Sequence, residues 1–131
     1  LSIDFIVPID DLNFNKASIN YIRSIKNRHR VVYLISGSHQ LLVDQISNHL
    51  NIFFESFGTK DNYNMVGINK VRFINNKLNI LEFDYLGNSS QDLPIWKYTK
   101  KIIYTNVSNN LRREIDSMQL EKYEVKEDFS K

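Results

Sequence analysis

Two loops and one lysine hold the residue types that could do chemistry in this chain. The first loop lies in "LISGSHQ", where the Ser36 hydroxyl closes an apolar run and Gly37 gives the backbone room before a helix. A hydroxyl, a free amide and a helix N-terminus in that order form a cradle for a phosphate group. The second loop lies in "FDYLGNSSQDLPIW", where Asn88, Ser89, Ser90 and Asp92 offer an amide oxygen, two hydroxyls and a carboxylate. Hard oxygen ligands of this kind suit Mg2+. Between the loops, Lys70 in "VGINKVRFI" could place a point charge on a phosphate oxygen.

Each of these residues also has an ordinary reading. Ser36 could simply cap a helix, and Lys70 alone reads as a solvated surface charge. Asp92 could cap the helix that carries Leu93 and Trp96, with Pro94 near its start. Asp10 and Asp11 read as turn residues after Pro8. His29, His39 and His49 are too widely spaced for a zinc site, and no further ligand joins them. Trp96 and Tyr98 read as core packing.

Strands and helices must hold those loops in place. Ala17, Ile19, Tyr21, Ile22 and Ile25 recur at helical spacing, predicting a helix over residues 15–25 with Asn15 as its N-cap. Residues 31–35 form a short, continuous, β-branched and aromatic run, the pattern of a buried strand broken by Ser36-Gly37-Ser38. Leu41, Leu42, Val43, Ile46 and Leu50 mark a second helix, and Phe53, Phe54 and Phe57 a short strand ending at Gly58. Further along, a helix is predicted over 68–74, a strand over 81–86 and a helical segment over 92–99. A last strand is expected over 101–107, then a short helix over 111–118. The charged residues from 120 to 131 read as a loose tail. Alternating strands and helices imply parallel pairing through right-handed crossovers, hence an α/β doubly wound, mostly parallel sheet within a single domain spanning 1–131.

Composition supports a folded domain and narrows its partners. The chain has 131 residues, 42% of them hydrophobic and 12% aromatic, enough for a core. Its 17 basic and 15 acidic side chains leave a net charge of +2, which gives no electrostatic case for nucleic acid. No apolar run approaches the roughly 20 residues of a membrane span. Cysteine is absent, which excludes disulfides and thiolate metal sites and fits a cytoplasmic setting.

The order of the segments resembles the haloacid dehalogenase (HAD)-like hydrolases, whose domain is a Rossmannoid α/β sheet. Ser36 looks like that superfamily's second motif, a Ser or Thr that hydrogen-bonds the transferring phosphoryl group. Lys70 looks like its third motif, the basic residue that stabilises the nucleophile and the phosphoryl charge. The resemblance thus assigns catalytic roles to Ser36 and Lys70 and phosphate binding to Ser36, Gly37 and Lys70. "YLGNSSQDLPIW" resembles the fourth motif, with Asp92 at its second acidic position and Asn88 where an Asp is usual. Asn88 and Asp92 are therefore the implied Mg2+ ligands, one negative charge short, and the metal is expected to bind weakly or not at all. Across residues 8–107, "LNFNKASINYIRSIKNRHRVVYLISGSHQLLVDQISNHLNIFFESFGT", "GINK" and "FDYLGNSSQDLPIW" resemble the HAD domain found ahead of UbiA-type membrane prenyltransferases. That branch implies a phosphorylated small molecule as ligand. It also implies a membrane prenyltransferase domain in a longer parent chain, with this domain on the cytoplasmic face.

One motif is missing. The superfamily's first motif is Asp-x-Asp-x-Thr after a strand, giving the phosphorylated nucleophile and the general acid. "IDFIVPIDDLNF" is the only candidate, with Asp10 and Asp11 adjacent and no second Asp two residues beyond either. Covalent phosphoryl transfer then lacks its first step. The expectation is a phosphatase-like domain without catalysis. The alternatives are a small active phosphatase using Asp10 or Asp11, and a non-catalytic interaction domain. The strand bearing the first motif is absent or replaced. Unless residues 3–7 fill its central place, unpaired strand edges invite self-association.

Overall fold

Strand and helix alternate along the whole computed structural model, which describes residues 4–7 and 15–126. The strands are β1 (Asp4–Val7), β2 (Val32–His39), β3 (Glu55–Thr59), β4 (Phe83–Gly87), β5 (Lys101–Tyr104) and β6 (Glu121–Glu124). The helices are α1 (Lys16–Lys26), α2 (Gln40–Leu50), α3 (Ile68–Asn76), α4 (Leu93–Trp96) and α5 (Asn109–Ser117), with a 3-10 turn at Ser90–Asp92 before α4. The six strands form one sheet in the order β3-β2-β1-β4-β5-β6, and every neighbouring pair is parallel. This is the doubly wound α/β sheet that the alternation predicted.

Side-chain alternation explains why both faces need covering. In β4, Phe83 and Tyr85 enter the larger core with Val71 and Ile74 of α3, Ile95 and Trp96 of α4, and Leu111 and Ile115 of α5. Leu86 points the other way, joining Ile22 and Ile25 of α1, Val32, Ile103 and Val125. In β5, Ile102 and Ile103 divide between the same two clusters. Period-two alternation between two apolar layers is what a parallel strand buried on both faces requires. The remaining helix, α2, covers the sheet with Val43 against Leu34.

Helix ends follow local chemistry. Asn15 accepts a hydrogen bond from the Ser18 N–H at 2.7 Å, the expected cap of α1. At α2 the cap is His39, whose Nδ1 accepts from the Leu41 N–H at 3.1 Å. Ser108 Oγ accepts from Leu111 N–H at 3.1 Å and starts α5.

Three expectations are corrected. Ser36-Gly37-Ser38 does not end β2, which runs on to His39 with a register irregularity between Ile35 and His39 that absorbs the glycine. Residues 121–124 are not a loose tail: they pair with β5, and Arg112 makes a bidentate contact with Glu124 at 2.9 and 2.8 Å. Tyr98 is 56% exposed, so of the two aromatics only Trp96 is core. Of the two outcomes expected for the central place between β2 and β4, the structure shows the filled one: Phe5–Val7 register with Val32–Leu34 on one side, and Asp4–Ile6 with Phe83–Tyr85 on the other. The gap that would have driven pairing between chains therefore does not exist.

Candidate functional site

Open α/β sheets bind ligands outside the carboxyl ends of the strands, at the point where strand order reverses. Here the chain moves from β1 outward to β3 and then returns to β4, so the reversal lies between β1 and β4. The turn after Gly87 stands at the carboxyl end of β4, on one side of this point, and Ser36 lies within β2, the strand beyond β1 on the other side.

Asp92 is the centre of that turn. It is buried, and its Oδ2 accepts the backbone N–H groups of Asn88 at 2.8 Å and Ser89 at 3.0 Å. Its Oδ1 accepts the Tyr85 hydroxyl at 2.9 Å. The carboxylate lies so near the backbone of residue 87 that a Cβ there would come within 2.5 Å of Asp92 Cγ and Oδ2. Glycine at 87 is thus a steric requirement.

Lys70 comes to the same place from α3. It is only 3% exposed, which overturns the surface-charge reading. Its Nζ donates to the Tyr85 hydroxyl oxygen at 3.3 Å and lies 5.9 Å from the centre of the Tyr85 ring. Lys70, Tyr85 and Asp92 form a buried relay, cation to hydroxyl to carboxylate. Gly67 turns the chain into α3 with φ +53, a left-handed conformation that glycine adopts at no steric cost.

A cleft of about 380 Å³ opens beside the relay, lined by Val66, Gly67, Lys70, Gln91 and Asp92. Lys70 and Asp92, from two separate sequence segments, are therefore brought together. Ser36 and Gly37 are placed on the neighbouring strand and do not line this cleft. Ser36 is fully buried, and its Oγ accepts the Ser38 N–H at 3.1 Å. The Gly37 carbonyl accepts the Thr59 hydroxyl at 2.9 Å, and Thr59 Oγ1 accepts the Met65 N–H at 3.0 Å. That bridge ties the Ser36–Gly37 segment to the loop entering α3. Asn88 is exposed, with its N–H turned to Asp92. Asp10 and Asp11 lie outside the described residues.

Tyr85 was not among the residues singled out from the sequence. Its segment, Phe83–Gly87, is buried throughout, and nothing in "FDYLG" distinguishes a tyrosine buried for its ring from one used for its hydroxyl.

Asn88 and Asp92 are the described residues that the resemblance offers to Mg2+. Among the described residues no group of three His, Asp or Glu side chains could hold a metal ion. Asn88 offers only a neutral amide, and both Asp92 oxygens are engaged by Tyr85, Asn88 and Ser89.

No family model matches the chain. A protein of Sinorhizobium fredii, "Uncharacterized protein y4nM", is 28% identical over 86 residues, which are 66% of this chain and 16% of that protein. The chain thus matches about a sixth of its curated relative. A protein of unknown function from Bordetella pertussis superposes with a TM-score of 0.72 at 13% identity, over 86% of this chain and 59% of that one. The cobalt-bound deoxy-D-mannose-octulosonate 8-phosphate phosphatase of Haemophilus influenzae gives 0.58 at 13% identity, covering 86% and 74%. The corresponding Moraxella catarrhalis enzyme, in complex with magnesium, phosphate and KDO, gives 0.56 at 15%, covering 80% and 68%. At these identities the likeness is one of architecture, and it bears out the resemblance at that level: the chain has the HAD-like Rossmannoid fold of these phosphatases.

Proposed function

We propose that this domain binds a phosphate-bearing small molecule at the carboxyl edge of its sheet and does not transfer the phosphoryl group. One observation supports this most directly. The central strand, where the resemblance puts the nucleophile at the carboxyl end, is Asp4–Val7, and the next residue in sequence is Pro8. Proline has no group that can attack phosphorus. Asp10 falls two residues on, in the place of the general acid, and an acid without a nucleophile forms no covalent intermediate. Lys70 remains as the anion-binding charge of the cleft, and Ser36 and Gly37, which do not line that cleft, keep the phosphate-contact role that the resemblance gives them.

Incubation of the purified chain with an aryl phosphate and Mg2+ should give no release above a blank. Saturable, Mg2+-dependent release that disappears in the Asp10→Asn, Asp11→Asn double variant would establish the small active phosphatase instead. Binding is read separately: inorganic phosphate should bind the chain, and Lys70→Met should abolish that binding while leaving the circular dichroism spectrum intact.

A membrane prenyltransferase in a longer parent chain, and a place for this domain on the cytoplasmic face, belong to the same proposal. Among the described residues no helix is long and apolar enough to cross a membrane, so any span would lie in other parts of such a parent. The residues encoded on either side of this segment test the link directly.

A further inference from the structure

We propose a second ligand site, an aromatic pocket beside β3 that takes the apolar body of a small organic anion. It stands apart from the phosphate-binding reading, since the two clefts share no lining residue. Its volume is about 390 Å³, within the roughly 300–1,000 Å³ of small-molecule sites. Phe57 of β3, Phe73 of α3, Tyr63 and Met65 form its apolar wall. The rings hold one another in place: the Phe57 and Phe73 centroids are 4.9 Å apart, and those of Tyr63 and Phe73 6.1 Å. These are ordinary aromatic packing distances, so the wall is set before any ligand arrives.

Polar groups around this wall are engaged by the protein itself. The Tyr63 hydroxyl donates to the Asn69 carbonyl at 2.8 Å. Gln40, which also lines the pocket, donates from Nε2 to the Ser56 carbonyl at 3.2 Å, and its Oε1 accepts the Gly58 N–H at 2.7 Å. What the wall offers a ligand is therefore three rings and a thioether, which suit an aromatic body.

A tight turn puts charge at the mouth. Asp61 and Asn62 have positive φ, 51 and 66, the left-handed pair that reverses a chain within two residues. The turn closes where the Tyr63 N–H donates to the Lys60 carbonyl at 2.9 Å, and Lys60 and Tyr63 pair across an antiparallel bridge. Residues paired in this way carry their side chains next to each other, which sets an ammonium beside a ring of the wall. Lys77, the C-cap of α3, brings a second ammonium to the pocket. Asp61 is the one acidic residue of the lining, so the two lysines leave the mouth one net positive charge. That balance favours an anion over a neutral molecule of the same shape.

Titration of the full chain with naphthalene carboxylate and with the neutral naphthalene carboxamide, followed by backbone amide resonances, tests the site. The carboxylate should bind saturably and shift the amides of Tyr63, Met65, Phe73 and Lys77. It should bind about two- to tenfold tighter than the carboxamide, the range open to two exposed ammonium groups. The Lys60→Gln, Lys77→Gln double variant alters only exposed side chains. It should bind both probes with one affinity, close to that of the parent chain for the carboxamide. No saturable binding, equal affinity for the two probes in the parent chain, or shifts confined to Val66, Gly67 and Lys70 would each overturn the proposal. So would movement of the same four amides on diluting the chain alone, since a second copy would then fill the pocket.

Discussion

The Asp92 carboxylate closes over Gly87 so tightly that a methyl group on residue 87 would stand 2.5 Å from its Cγ and Oδ2. The two residues are five positions apart and define one turn: β4 ends at the glycine, and the acid folds back over it to collect the N–H groups of Asn88 and Ser89. Gly87→Ala should therefore destabilise the domain by about 1–3 kcal/mol, the usual cost of overpacking a closed site. Thermal unfolding followed by circular dichroism checks it. Gly67→Ala makes the contrast, since no heavy atom lies within 4 Å of a Cβ there and only the positive φ of +53 is strained. That change should cost about 1 kcal/mol.

Tyr85→Phe deletes the hydroxyl that bridges Lys70 and Asp92, so each loses one hydrogen bond in a buried place. The expected loss is about 1–3 kcal/mol in urea unfolding. Trp96 is the single tryptophan, and its indole N–H donates to the Tyr85 carbonyl at 3.0 Å, so its fluorescence reports the transition. Combined with Asp92→Asn, the two changes should be clearly non-additive, because both act on one hydrogen-bonded network.

At the opposite end of β4, Arg30 reaches Asp84 at 2.9 Å, with the aspartate side chain 6% exposed. Breaking such a pair from one side strands a buried charge. Arg30→Met should cost about 3–5 kcal/mol, and adding Asp84→Asn should restore a large part of the loss. Asp84 Oδ1 is already without a hydrogen-bond partner, so the aspartate has little to compensate it once Arg30 is gone. Equal stability of the single and double variants would contradict this account.

Acid should loosen β6 first. Hydrogen bonding to Arg112 holds the Glu124 carboxyl below its ordinary value, against a smaller opposing effect of desolvation. The folded state therefore takes up this proton later on acidification than the unfolded chain does. Its stabilisation is complete above the ordinary value of 4.5 and is lost as pH falls from there through the depressed folded value. Glu124→Gln should lower the urea midpoint at neutral pH, and its difference from the parent should shrink toward zero in acid. A difference independent of pH would show that the Arg112 contact does not depend on the carboxylate charge.

Most of the architecture was legible because periodicity encodes burial. The run of Ala17, Ile22 and Ile25 gave α1, and the apolar stretch before Ser36 gave β2, since each pattern has one physical solution. What escaped depends on contacts between distant segments. Glu121–Glu124 alternates exposed and half-buried residues, a pattern that looks like a solvated tail until β5 and Arg112 are beside it. Tyr98 is aromatic, but it follows the short α4 onto the surface. At the site, Lys70 and Asp92 were readable by motif order. Their shared partner Tyr85 was not, because a hydroxyl bond between residues 15 and 7 positions away leaves no mark on local pattern.

The place of β1 has a consequence for how the domain can be divided. Four residues join the β2–β3 half of the sheet to the β4–β5–β6 half, since β2 and β4 each pair with β1 and not with each other. The molecule is thus built like a clasp, with a short strand as its pin. A chain beginning at Asn15 would be a receptor for that pin, and a peptide carrying Asp4–Val7 would be its ligand. Supplied in trans, the peptide should rejoin the halves and turn one polypeptide into a two-part assembly that forms on mixing.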